Sequence, residues 1–132
     1  MKFSISTKDF TDIIDITKEV SKAVGQSKIK NGICLVSCPG STCGITTIEY
    51  EEGAITDLKR VLDKLVPATK DYEHCKKWGD CNGYSHIRSA LIKPFLSVPV
   101  ENGELLLGTW QQIVFLDFDN RARQREITVK II

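Results

Sequence analysis

Residues 111–119, QQIVFLDFD, restrict this chain more than any other stretch, because Ile113 to Phe118 is apolar on both faces, interrupted only by Asp117. Successive side chains of a strand point to opposite faces, so a strand here needs cover on both sides. Two stacked sheets would supply that cover, and so would one sheet lying under helices or partner chains. The chain holds 132 residues, 42% hydrophobic and 27% charged, which is enough to bury a core without staples in one domain spanning 1–132.

The surrounding segments fill in the expected layers. KFSIST reads as a strand. TKEVSKAVG reads as a helix with Val20, Ala23 and Val24 on one face and Gly25 as its C-cap. NGICLVSC is apolar on both faces like a covered strand, and CGITTIEYEE carries a second β-branched run after the loop CPGST. Ile55, Leu58, Val61, Leu62 and Leu65 recur at helical spacing until Pro67 stops them. An irregular polar stretch, ATKDYEHCKKWGDCNG, precedes a shorter helix in YSHIRSALI that ends at Pro94. From there on the pattern is strand. FLSVPV and ELLLG are joined by an Asn102-Gly103 turn suited to type I′, and QQIVFLDFD and REITVKII complete an expected antiparallel meander. The expected fold class is α+β, a mainly antiparallel β-sandwich with two to three helices.

Charge and cysteine content exclude several classes of function. Eighteen basic and seventeen acidic residues give a net charge of +1, with no Lys/Arg block, so no nucleic-acid or membrane partner is expected. The start, MKFSISTKDF, lacks an apolar signal region, and five cysteines make an odd number, so thiols in a cytoplasmic protein are expected rather than a disulfide framework. No C-x-x-C occurs, and Cys34 and Cys43 read as small core residues.

Three places could carry chemistry. The only histidines, His74 and His86, lie twelve residues apart with Asp80, Asn82 and Ser85 between them. An imidazole pair with a nearby oxygen ligand could hold a divalent metal, and one neutral imidazole could act as a general base; solvated, hydrogen-bonded histidines are the plain alternative. In SCPGSTCG, backbone N–H groups with the Ser41 and Thr42 hydroxyls could cradle phosphate oxygens, or the segment is simply a tight turn. Alternation through ITTIE places Ile45, Thr47 and Glu49 on one face, where the Glu49 carboxylate would need a partner. Finally, Gly108, Thr109, Trp110 and Gln111 interrupt the strand pattern. Glycine there would permit close approach, Thr109 and Gln111 offer polar groups, and Trp110 suits an interface.

SVPVENGELLLGTWQQIVFLDFDN resembles the C-terminal signature of the YjbQ family, described as secondary thiamine-phosphate synthases. GITTIEYEEG, LDKLVP, DYEH, DCNGYSHIRSALI and GTWQQI follow in the family's order over roughly residues 30 to 130. The resemblance implies a compact α+β sandwich assembled as a homotrimer, with a site near the subunit boundaries. It also implies three site histidines. Two of them match His74 and His86, while Gly40 stands where the third would be and Ile48 where the family commonly has asparagine. Cys38 or Cys43 lies close enough in sequence to be considered as a substitute ligand.

The family activity joins a pyrimidine pyrophosphate to a thiazole phosphate. On that basis His74 and His86 are expected to bind a divalent metal, zinc or magnesium, or a phosphate. Glu49, Asp80 and His86 are the catalytic candidates, and Ser41, Thr42, Asn82, Arg88, Thr109 and Gln111 are expected to meet a small phosphorylated molecule. The competing expectation is a non-catalytic homotrimer that binds a small anion or a partner through a site made degenerate by Gly40.

Overall fold

The computed structural model describes residues 1–132. Eight strands and four helices follow in the order β1 (Lys2–Ser6), β2 (Asp12–Asp15), α1 (Thr17–Ser27), β3 (Gly32–Ser37), β4 (Cys43–Ile48), α2 (Glu52–Leu65), α3 (Glu73–Trp78), α4 (Gly83–Ile92), β5 (Phe95–Glu101), β6 (Glu104–Leu105), β7 (Gln112–Asp117) and β8 (Gln124–Ile131). Every strand pairing is antiparallel. A five-stranded sheet runs β1-β8-β3-β5-β6 and a three-stranded sheet runs β2-β7-β4.

The doubly apolar strand is the centre of the smaller sheet, and both kinds of cover are present. Ile113 and Phe115 join Cys34, Val36, Val98, Val100, Ile127 and Val129 of the larger sheet and Val20, Ala23 and Val24 of α1 in the main core. Val114, Leu116 and Phe118 face the other way, where Leu62 of α2 is buried with them and Ile55, Leu58 and Ile92 pack alongside. The layers are therefore sheet, sheet, helices. Burial of this kind, about 25 cal/mol per Å² of apolar surface, is what makes β7 a core element rather than a surface one.

Several local expectations need correction. The C-terminal strands are not one meander: β5 and β6 form a hairpin at Asn102 and Gly103, both at positive φ as a type I′ turn requires, but β7 crosses to the other sheet and β8 returns. Gly25 lies inside α1, whose C-cap is Lys28 at φ 60. A fourth helix, α3, occupies the stretch expected to be irregular, closed by Gly79 at φ 68. Glu49 falls just beyond β4 and is exposed, so the alternation that placed it on a buried face stops one residue too soon.

Helix α4 lies against β4 at close range. Ser89 Oγ donates to the Cys43 carbonyl at 2.6 Å, and a Cβ at Gly44 would come within 2.7 Å of Ile92 Cγ2, so glycine is what lets this helix sit so low on the strand. The descent fixes the direction of the first turn of α4, which carries His86.

Candidate active site

Two short helices bring the imidazoles together. His74 lies in the first turn of α3 and His86 in the first turn of α4, and their ring centroids are 4.4 Å apart with the planes tilted by 40°. The link between the helices is held by Asp80, whose Oδ1 lies 3.2 Å from His74 Nδ1 and accepts from the Asn82 backbone N–H at 3.2 Å. With the shared proton on Nδ1, His74 turns its Nε2 lone pair away from Asp80, the arrangement of a carboxylate-oriented base. Both side chains stay partly exposed.

Asn82 joins this pair to a buried network that the sequence reading did not anticipate. Its Oδ1 accepts from Ser85 Oγ at 2.7 Å, and its amide reaches Asp119 Oδ1 at 3.5 Å. Asn120 donates to the Asp80 carbonyl at 2.8 Å, tying the same loop to the end of β7. Asp117 and Asp119 are fully buried and face Arg125 and Arg123 of the chain running into β8. Arg125 grips Asp117 with two bonds of 2.8 Å, and the Thr7 hydroxyl adds a third at 2.7 Å. Burial pulls the Asp117 carboxyl upward, but the bonds from Arg125, Thr7 and the Asp119 N–H together outweigh it and hold the group below the ordinary carboxylate range.

The expected residues divide into those this corner gathers and those it does not. His74, Asp80, Asn82 and His86 form one cluster. Thr42 lies in the adjoining network, but its hydroxyl already donates to Asp119 Oδ2 at 3.1 Å and accepts from Arg125 at 2.9 Å, so it supports the corner instead of facing a ligand. Ser41 is exposed beside it. A Cβ on Gly40 would stand 3.2 Å from Cys43 Sγ and 3.3 Å from Arg125 Nη1, so the position is crowded, while its φ is not one that requires glycine. Cys38 and Cys43 are buried in the main core, which counts against either standing in as a ligand.

Arg88 also differs from expectation. It is 1% exposed, and its guanidinium donates twice to the Val66 carbonyl, at 3.0 and 2.7 Å, once to Thr11 Oγ1 at 2.7 Å and once to Asp63 at 2.9 Å. It ties α4 to the end of α2 instead of offering charge to a ligand beside His86.

Glu49, Thr109 and Gln111 lie at the opposite end of the small sheet. Thr42 and Glu49 flank the two ends of β4, which puts them roughly 23 Å apart at about 3.3 Å per residue. There Gly108 to Gln111 make a turn clasped by the Gln111 side chain, whose oxygen accepts from the Gly108 N–H at 3.0 Å and whose amide donates to Thr47 at 3.0 Å. A Cβ on Gly108 would meet nothing closer than 3.7 Å, so no close approach within the chain calls for glycine. Trp110 at the tip of the turn is 70% exposed, so it packs against nothing substantial in its own chain.

No group of three His, Cys, Asp or Glu side chains converges as a cation site, and Asp80 is bonded to one of the two imidazoles. Two imidazoles fall short of the usual three protein ligands of catalytic zinc, so the residues of one chain do not fit a resident zinc ion.

A family model described as UPF0047 protein YjbQ-like matches residues 1–132. A UPF0047 protein of Archaeoglobus fulgidus is 37% identical over 132 residues, covering 100% of both chains. The UPF0047 protein YugU of Bacillus subtilis is 35% identical over 130 residues, covering 97% of this chain and 95% of its own. Among solved structures, an uncharacterized conserved protein of the YjbQ/UPF0047 family from Clostridium acetobutylicum superposes with a TM-score of 0.90 at 38% identity, covering 100% and 99% of the two chains. A YbjQ-like protein of unknown function from Sulfolobus solfataricus gives 0.89 at 30% identity over 99% and 95%.

Proposed function

This chain belongs to the YjbQ-like UPF0047 family, and from that premise we propose that its imidazole pair acts on a small phosphorylated molecule, in a thiamine-phosphate synthase-like transfer. The observation that carries this reading is the contact of His74 with His86 at 4.4 Å, with Asp80 set on His74 Nδ1. In such a transfer the thiazole nitrogen attacks the methylene carbon of the pyrimidine pyrophosphate. The new N–C bond forms as the C–O bond breaks, and pyrophosphate leaves with the bonding electrons. Charge on the departing oxygens is what needs stabilising, and a protonated imidazole next to a second imidazole is suited to it. Asp80 orients the His74 ring through Nδ1, and Asn82 fixes Asp80 through its backbone N–H. Ser41 is a further donor for phosphate oxygens. Every step is assigned to these side chains, with no zinc or magnesium invoked.

The remaining residues enter this reading through a second copy of the chain. Glu49, Thr109 and Gln111 lie too far from the imidazoles to act with them in one chain, whereas a homotrimer could set that end of one copy against the histidines of the next. Exposed Trp110 (70%), Leu65 (72%), Leu91 (63%) and Trp78 (67%) are apolar surface that a copy would cover. The parent is expected to scatter light as three chains and Trp110→Ala as one; a parent that runs as one chain, or a variant trimer as stable as the parent's, would contradict the assembly. Five free cysteines and no helix long and apolar enough to cross a membrane suit a cytoplasmic location.

The test is calorimetric titration with inorganic pyrophosphate. Saturable binding that His74→Ala and His86→Ala each weaken by about tenfold or more supports the site. Gly40, standing where the family's third histidine would be, favours the second reading, in which the same corner binds an anion without turning it over. That protein would bind pyrophosphate equally well and form no product.

A further inference from the structure

Tyr84 and Arg88 are four residues apart and share one face of α4, while His86, two residues from each, lies on another face. Against the Tyr84–Arg88 face is a cleft of about 270 Å³ bounded by Phe10, Thr11, Lys59, Asp63 and Ala68. Three observations about it have no explanation in the fold alone.

The first is a donor without an acceptor. Tyr84 is 1% exposed, and its hydroxyl has no hydrogen-bond partner in the chain, the only buried side-chain polar atom of which this is true. Burial pushes this phenol up to about 12 despite the opposing charge of Arg88, so it keeps its proton at neutral pH. Leaving such a group unpaired is costly, and a bound acceptor removes the cost.

The second is strain. Phe10 and Thr11 are consecutive non-glycine residues at φ 54 and 57, a region that a β-branched threonine rarely enters. That geometry sets Thr11 Oγ1 at 2.7 Å from Arg88 Nη1 and leaves the Phe10 ring 59% exposed on the rim.

The third is charge. Two cations, Lys59 and Arg88, line the cleft against one carboxylate, Asp63. Asp63 bonds Arg88 at 2.9 Å, and Lys59 forms no ion pair. The unmatched charge is positive.

We propose that this cleft is a second binding site, for a small organic anion that carries one planar apolar group. Its carboxylate or phosphate meets Lys59 and the Tyr84 hydroxyl, and its apolar part lies against Phe10 and Ala68. The volume falls just under the range of about 300–1,000 Å³ typical of drug-sized ligands, which limits the occupant to about one ring with its acid group. A neutral apolar occupant would leave the hydroxyl and the lysine unanswered.

Amide NMR titration of the full chain tests this with benzoate, phenyl phosphate and, as neutral control, benzyl alcohol. The expected result is saturable movement of the Phe10, Thr11, Lys59 and Tyr84 amides with at least one anion, at millimolar or tighter affinity, and none with the alcohol; the tighter anion identifies the acid group. Lys59→Ala and Tyr84→Phe are each expected to weaken binding by about tenfold. Tyr84→Phe should keep or raise the melting temperature, since it deletes an unpaired buried hydroxyl, so loss of binding there cannot be put down to unfolding. His86→Ala should leave these shifts unchanged, which separates this site from the imidazole pair. Shifts that fail to saturate by about 20 mM, that the alcohol reproduces, or that both cleft variants leave intact would overturn the proposal.

Discussion

Arg88→Met is expected to cost about 4 kcal/mol of folding free energy. Methionine is of similar length and fills much of the space, so the loss is mainly one of bonding. Four donor contacts disappear, leaving the Val66 carbonyl and the Thr11 hydroxyl without the partner that satisfies them now. The Tyr84 ring also loses the guanidinium stacked 5.1 Å from its centroid. Asp63, whose side chain is 69% exposed, regains water and adds little to the cost. Domains of this size hold about 5–15 kcal/mol in all, so the urea midpoint should fall by a large fraction while the slope stays fixed. Arg88→Lys keeps the charge but not the fork, and should recover less than half. A Met variant within about 1 kcal/mol of the parent would show that the guanidinium is not what joins α2 to α4.

The second large effect depends on pH. Removing the Arg125 side chain, as in Arg125→Met, leaves the Asp117 carboxylate fully buried without its bidentate partner, which should cost about 3–5 kcal/mol at pH 7. In the parent the folded Asp117 carboxyl lies below its unfolded value, so its stabilisation is complete above about pH 4 and is lost as the pH falls through the folded value. In the variant burial dominates and moves the carboxyl the other way, so that it takes up a proton more readily when folded. The gap between the two proteins should therefore narrow steadily below about pH 5. Urea melts at pH 7 and pH 4 measure it, and a gap equal at both would mean that Asp117 is not the group answering Arg125.

The Asp117–Arg125 pair also shows where a reading of single residues stops. Two carboxylates at 117 and 119 inside an apolar run, followed by arginines at 123 and 125 with the same spacing, are a visible sign of a buried ion network. The doubly covered strand and the Asn102-Gly103 turn were legible, because two-sided hydrophobicity and positive φ each have few structural solutions. Helix α3 was not, since six residues hold too little periodicity to stand out from a polar loop.

The site was legible in part for a similar reason. His74, Asp80, Asn82 and His86 lie within thirteen residues, so local geometry alone brings them together. Glu49 and Gln111 depend on strand length and register, which residue types do not reveal, and these carry them to the far end of β4 and β7. The charge of Arg88 is visible in the sequence, but its burial among the Val66 carbonyl, Thr11 and Asp63 is set by tertiary packing. The buried serines at 85 and 89, on a helix whose Tyr84 also faces inward, mark that side of α4 as interior.

Turnover by the parent protein and by His86→Gln, followed as thiamine phosphate formed from the pyrimidine pyrophosphate and thiazole phosphate, bears most directly on the role given to the imidazole pair. The parent should form product and release one pyrophosphate per turnover, and the variant should be slower by about a hundredfold or more at an unchanged urea midpoint. Equal rates in the two proteins, or no product from either, would contradict it.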